Sequence, residues 1–282
     1  MQTTILLYKE NKLKKENVVE NYSKSMDFIE GLIKKTTNEK NIENLNKAKE
    51  NVENLFTTSG TADCAVMIPL FTTKFNQNKE DTTLLKKITK LLDKGGCTES
   101  DLYAQASEQL NKLAPSALSA YNLARMFAGK GSYSKSASYY KQAIDLENDN
   151  IEKAKYYHDL AAITGTKLGQ PSQGRSYAYD AIKLNPSWGK PYILIGNIYA
   201  TCSNEIGADE FEHKAVFWAA IDKFVKAKSV DPSCAEDANK LINAYMIHYP
   251  NKEEGFFRSI GEGQSYTVGG WINETTTVRY AK

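Results

Sequence analysis

Three prolines punctuate the middle of this chain at intervals that admit few folds. Each precedes a serine: Ala114-Pro115-Ser116, Asn185-Pro186-Ser187 and Asp231-Pro232-Ser233. Their separations are 71 and 46 residues, which is two periods of 34 with three to spare, then one period with twelve. A period of this size marks stacked units that are each too small to bury their own apolar face. The residues between the prolines repeat the same order of sizes. Ala120, Leu123, Ala124, Phe127, Ser136, Tyr140 and Ala143 run without a gap, with Asn148 in place of proline and Gly131 at the turn. Tyr157, Leu160, Ala161, Thr164, Gly174, Ala178, Ala181 and Pro186 follow, with one extra residue. Tyr192, Ile195, Gly196, Tyr199, Ala220, Phe224, Ala227 and Pro232 come next, interrupted by twelve residues that place an inserted loop over 201–214. Counted within a unit, the small residues fall at positions 8 and 20, where two antiparallel helices must approach closely. The bulky ones fill the space between hairpins. These side chains are core, not a cofactor box.

A period of 34 with this order of residues resembles the tetratricopeptide repeat (TPR). The resemblance implies an all-α, right-handed α-solenoid of helical hairpins, with three units at 117–150, 153–187 and 188–233. Upstream, Leu84, Leu85, Ile88, Leu91 and Leu92 form an apolar helical stripe ending at Gly95-Gly96, and Thr98-Glu99-Ser100-Asp101 opens a helix to Leu113. With a helix over Thr61–Asn76, kinked at Pro69, they read as degenerate hairpins over 61–116. Two further stripes, Val18-Tyr22-Met26-Ile29-Ile33 and Ile42-Leu45-Ala48-Val52-Leu55, make 1–60 a helical region outside the template. Segments 235–248 and 253–260 read as a hairpin capping the last apolar face, over 234–262. The tail at 263–282 is rich in Thr, Val, Trp and Gly and has no helical period, so it is expected to be a short extended C-terminal arm anchored on the solenoid by Trp271 and Ile272.

Several stretches are more specific than the repeat itself. Cys97-Thr-Glu-Ser-Asp-Leu-Tyr, Lys190-Pro-Tyr-Ile-Leu-Ile-Gly, Ala215-Val-Phe-Trp-Ala-Ala-Ile-Asp-Lys, Lys226-Ala-Lys-Ser-Val-Asp-Pro and Gly263-Gln-Ser-Tyr-Thr-Val-Gly-Gly-Trp-Ile-Asn-Glu-Thr-Thr look like a group of TPR proteins of Bacteroidetes-type bacteria. That resemblance spans about residues 60–282. It implies export to the periplasm or cell envelope and transfers no catalytic residue. Met1–Glu10 has neither the basic region nor the apolar length of a signal peptide, so whether Met1 is the natural start stays open.

Composition narrows the function classes. Lys and Arg total 36 against 34 Asp and Glu, a net charge of +2, so no bulk field draws the chain onto nucleic acid. No apolar run reaches membrane-spanning length. The four cysteines form no CxxC, the three histidines no HExxH, and P-loop, GxGxxG and GxSxG motifs are absent. The expectation is therefore a protein without cofactor, metal or catalytic set. Cys64 and Cys97 are 33 residues apart, and Cys202 and Cys234 are 32 apart. Equivalent positions in successive repeats lie about 8–10 Å apart, beyond disulfide reach, so free buried thiols are expected, with a Cys64–Cys97 bridge left open. Asn273-Glu274-Thr275 matches a glycosylation sequon and is given little weight.

Binding is what remains. In TPR arrays the first helix of each unit lines a concave groove, with positions 2, 5, 9 and 12 facing inward. The register puts Lys86 and Lys90, then Leu118, Tyr121 and Arg125, then Lys155, His158 and Ala162, then Lys190, Ile193 and Asn197 on that face. Cations with apolar relief suit a protein partner or an extended acidic peptide. The residues do not match a carboxylate clamp, which resembles a Lys/Asn–Asn–Lys/Arg set at positions 5 and 9. The alternative is a surface or periplasmic accessory protein for glycan or nutrient uptake, with Tyr121, Tyr139, Tyr140, Tyr156 and Tyr157 as platforms.

Overall fold

Most helices start at a side chain that satisfies amides the helix itself leaves free. Asp63 accepts from the amides of Ala65 and Val66, Asp81 from Thr83 and Leu84, and Ser100 from Tyr103. Ser116, Asp149, Asp209 and Asn251 do the same further on. The computed structural model describes residues 1–61 and 63–281. Ala62 and Lys282, which fall in the expected 61–76 helix and in the arm, lie outside the described residues. The chain divides into two units, Met1–Pro115 and the chain from Ser116 onward. Both units are all-α, and the second is built of stacked helical hairpins closed by a short C-terminal strand pair. Among the described residues no helix is long and apolar enough to cross a membrane.

The first unit holds α1 (Gln2–Lys9), α2 (Lys15–Lys35), α3 (Glu39–Thr58), α4 (Cys64–Gln77), α5 (Thr82–Lys94) and α6 (Asp101–Leu113). Val18, Tyr22 and Met26 from α2 share one core with Phe56, Met67, Phe71, Leu85, Ile88 and Leu102, and Tyr22 stacks on Phe56 with ring centroids 4.1 Å apart. The residues read from sequence as a separate region, 1–60, thus pack with those of 61–116. Helix α4 runs on through Pro69. Cys64 and Cys97 form a disulfide with Cα atoms 5.6 Å apart, against the expectation of free thiols. The reason is positional. Cys64 begins α4 and Cys97 follows the Gly95-Gly96 turn that ends α5, so antiparallel packing brings the two ends together. They are not equivalent repeat positions. Cys202 and Cys234 are free and buried.

The second unit holds α7 (Ala117–Gly129), α8 (Tyr133–Leu146), α9 (Asn150–Ala162), α10 (Pro171–Leu184), α11 (Lys190–Thr201), α12 (Glu210–Val230), α13 (Ala235–Met246) and α14 (Lys252–Phe257). From α7 to α13 each helix packs on the next in sequence, as in a solenoid. Positions 8 and 20 meet in all three repeats. The Ser136 hydroxyl donates to the Ala124 carbonyl at 2.7 Å. A Cβ on Gly174 would stand 2.6 Å from the Gly165 Cα and 2.9 Å from the Ala161 carbonyl. One on Gly196 would stand 2.4 Å from the Phe224 ring. The extra residue of the second repeat is absorbed by a π-helical turn at Ile163–Lys167, which lengthens α9 without shifting its apolar face.

The segment 201–214 is only partly a loop. After a short 3-10 turn at Ser203–Glu205, residues from Glu210 onward already belong to α12. Ile206 and Phe211 from this segment are buried. They pack in the same core as the tail, which is a hairpin rather than a single extended arm: β1 (Ser265–Val268) pairs antiparallel with β2 (Glu274–Thr277). Val268, Ile272 and Val278 are buried beside Trp218, whose indole Nε1 donates to the Arg279 carbonyl. Trp271 is half-buried under the Arg175 guanidinium. Glu274 fixes the hairpin by charge. Its carboxylate accepts from Tyr199 at 2.6 Å and Tyr179 at 2.8 Å and pairs with Lys223 at 2.7 Å. Burial alone would raise the Glu274 carboxyl, but the Lys223 and Tyr199 hydrogen bonds and the lysine charge outweigh it and hold it below the ordinary range.

Candidate peptide-binding groove

Helix α11 begins where the Asp231 carboxylate accepts the Gly189 amide at 3.0 Å. Hydrogen bonds from Ser233 and Gly189 hold Asp231 down at about 2, so this anchor stays charged at any ordinary pH. It places Lys190 at the first turn of α11, with Ile193, Leu194 and Asn197 following along one face. Together with His158 of α9 and Asp237, Lys240 and Leu241 of α13, these residues line a groove of about 450 Å³, within the usual range for a ligand site of about 300–1,000 Å³. Ile193, Leu194 and Leu241 supply its apolar surface, and the polar groups stand among them.

The polar groups differ in how far their bonding is met. His158 Nδ1 lies 3.2 Å from Asp159 Oδ1, and its ring packs against Trp188 at 5.0 Å. Lys240 pairs with Glu236 at 2.6 Å. Lys190 forms no ion pair among the described residues. The Oδ1 of Asn197 is buried and has no hydrogen-bond partner among the described residues. A buried acceptor left unmatched costs about 1–3 kcal/mol. No group of three or more His, Cys, Asp or Glu among the described residues is placed to hold a metal ion.

The residues expected to form the groove are not all brought together. His158, Lys190 and Asn197 line it, with Ile193. Tyr121 is spent on packing: it stacks on Tyr156 at 4.4 Å and donates to Asp159 Oδ2 at 2.9 Å. Burial and the Asp159 charge push its phenol up to about 12. Arg125 is exposed, with its guanidinium 5.8 Å from the Tyr121 ring. Lys155 is exposed and paired with Glu152 on its own helix. Lys86 and Lys90 belong to the first unit, where they line a smaller cavity of about 180 Å³ with Tyr22, Asp27 and Glu30. The Lys90 charge is met there by Glu30 and Glu53. The tyrosines weighed as sugar platforms are engaged as well. Tyr140 and Tyr156 are buried, Tyr139 stacks on Phe127 and Tyr157 meets Tyr177.

Leu194 of α11 falls outside the inward positions counted from the sequence, and Asp237, Lys240 and Leu241 were not visible there because α13 reads as a cap. One signal was available. Pro232-Ser233 precedes α13 as Pro186-Ser187 precedes α11, which marks α13 as the first helix of a further hairpin.

No family model and no curated protein matches the chain. Among solved structures it is similar to a crystal structure of MamA (16% identity, 66% of this chain and 92% of that chain, TM-score 0.45). A second MamA structure gives 14% identity over 76% and 96% of the two chains, at TM-score 0.47. YrrB, a TPR protein with an unusual peptide-binding site, gives 17% identity over 67% and 97%, at TM-score 0.37. At these values the likeness carries no argument about the groove, which rests on its own geometry.

Proposed function

We propose that this protein is an interaction scaffold whose groove between α9, α11 and α13 binds a short segment of a protein partner. The buried, unmatched Asn197 Oδ1 carries the reading, since a peptide N–H is the donor that would satisfy it. Ile193, Leu194 and Leu241 favour an apolar side chain beside that N–H, and the unpaired Lys190 favours a carboxylate. The segment is accordingly apolar and acidic, and the function requires no chemistry on it. The Cys64–Cys97 bridge supports an oxidising compartment, in line with export to the cell envelope.

Selection from a random displayed peptide library on the full chain tests this. Selected sequences are expected to combine an acidic with an apolar residue and to weaken in salt. Each should bind about tenfold less tightly to Lys190→Glu and Asn197→Leu variants, the equivalent of about 1.4 kcal/mol. Equal binding to wild type and both variants would overturn the assignment.

A further inference from the structure

The second unit exposes a knob as well as a groove. Phe256 and Phe257, at the end of α14, are 79% and 78% exposed, with ring centroids 6.1 Å apart. Adjacent phenylalanines left in water form an exposed apolar patch of the kind found at interaction sites. We propose that Phe256 and Phe257 of one molecule enter the groove lined by His158, Lys190 and Leu241 on a second copy, joining chains head to tail. This names the partner of the groove and rests on the groove reading given above.

Three observations support the second copy as occupant. The knob cannot fold back into its own groove, because α14 is pinned. Gly255 lies flush on the Tyr280 side chain, Glu254 pairs with Lys214 at 2.8 Å, and Arg258 pairs with Asp209. Charge is complementary: Glu253, exposed beside the phenylalanines, has no ion pair among the described residues, and neither has Lys190 in the groove. The groove's apolar surface and volume of about 450 Å³ suit aromatic side chains. Because knob and groove are different surfaces, the contact is heterologous. It propagates into a ring or an open chain rather than closing as a two-fold dimer.

Sedimentation velocity over a rising concentration series tests the contact. Wild type is expected to form larger species as concentration rises. A knob variant, Phe256→Ser/Phe257→Ser, and a groove variant, Lys190→Glu/Leu241→Lys, are each expected to stay monomeric. Mixed together they should form a 1:1 complex and stop, since one intact knob then meets one intact groove. Lys190→Glu alone, at an exposed side chain, serves as a second groove variant should the double one misfold by circular dichroism. Self-association untouched by either surface, or no complex on mixing, overturns the proposal. A wild type that stays monomeric but binds its selected peptides overturns this contact and leaves the groove reading standing. One that does neither overturns both.

Discussion

In the first unit helices meet through Met67, Phe71, Leu85, Ile88 and Phe56, and a disulfide ties α4 to the turn after α5. In the second they meet through Ala, Ser and Gly at two fixed positions, with bulky residues filling the layers between hairpins. The two solutions differ in tolerance. Large apolar contacts accept many substitutions of like volume, which leaves a helical stripe and no repeat signature. Close backbone contact accepts only the smallest side chains, so the same residues recur and the repeat becomes readable.

Removing the staple is the strongest test of that contrast. A bridge spanning 33 residues is worth about 3–4 kcal/mol by the loop-entropy relation. Cys64→Ser/Cys97→Ser should therefore lower the denaturation midpoint of the first unit. The second unit, followed by tryptophan fluorescence from Trp188, Trp218 and Trp271, should keep its own. Equal loss in both units would show that they unfold together. Next in size, Gly174→Ala forces a methyl against the backbone of Gly165 and Ala161 and should cost the second unit about 1–3 kcal/mol in urea unfolding.

Charge is the next place where the comparison sharpens. Glu274 sits below its ordinary range in the folded chain. Its contribution is thus present above about 4.5 and lost as pH falls through the lower folded value. Glu274→Gln should cost about 2 kcal/mol at neutral pH, because it leaves Lys223 half-buried without its partner. The same variant should flatten the decline in second-unit stability on acidification. An unchanged acid profile would move that sensitivity to other carboxylates. The smallest effect is a gain. Gly31 lies inside α2 with nothing within 4 Å of a Cβ, so Gly31→Ala should stabilise the first unit by about 0.5–1 kcal/mol.

The groove was half legible. Lys190, Ile193 and Asn197 follow from counting along α11, and His158 from counting along α9, because helical periodicity fixes which residues share a face. The same counting failed for Tyr121 and Lys155. Both stand on the expected helices, but Tyr121 found Tyr156 and Asp159, and Lys155 found Glu152. A register assigns a direction and says nothing of what waits there. Leu241 and Asp237 were missed for the opposite reason, since α13 keeps only the Pro-Ser that precedes a first helix and otherwise lacks the repeat's pattern.

By itself the sequence determined the helices, the 34-residue spacing and the small residues where helices cross, all of which rest on local periodicity and on volumes at close contact. Only the tertiary structure decided the disulfide, the folding of the tail into a hairpin held by Glu274 and Arg279, and the acceptor left unmatched on Asn197. Each of these joins residues far apart in the chain, and whether two distant groups meet depends on the packing of everything between them.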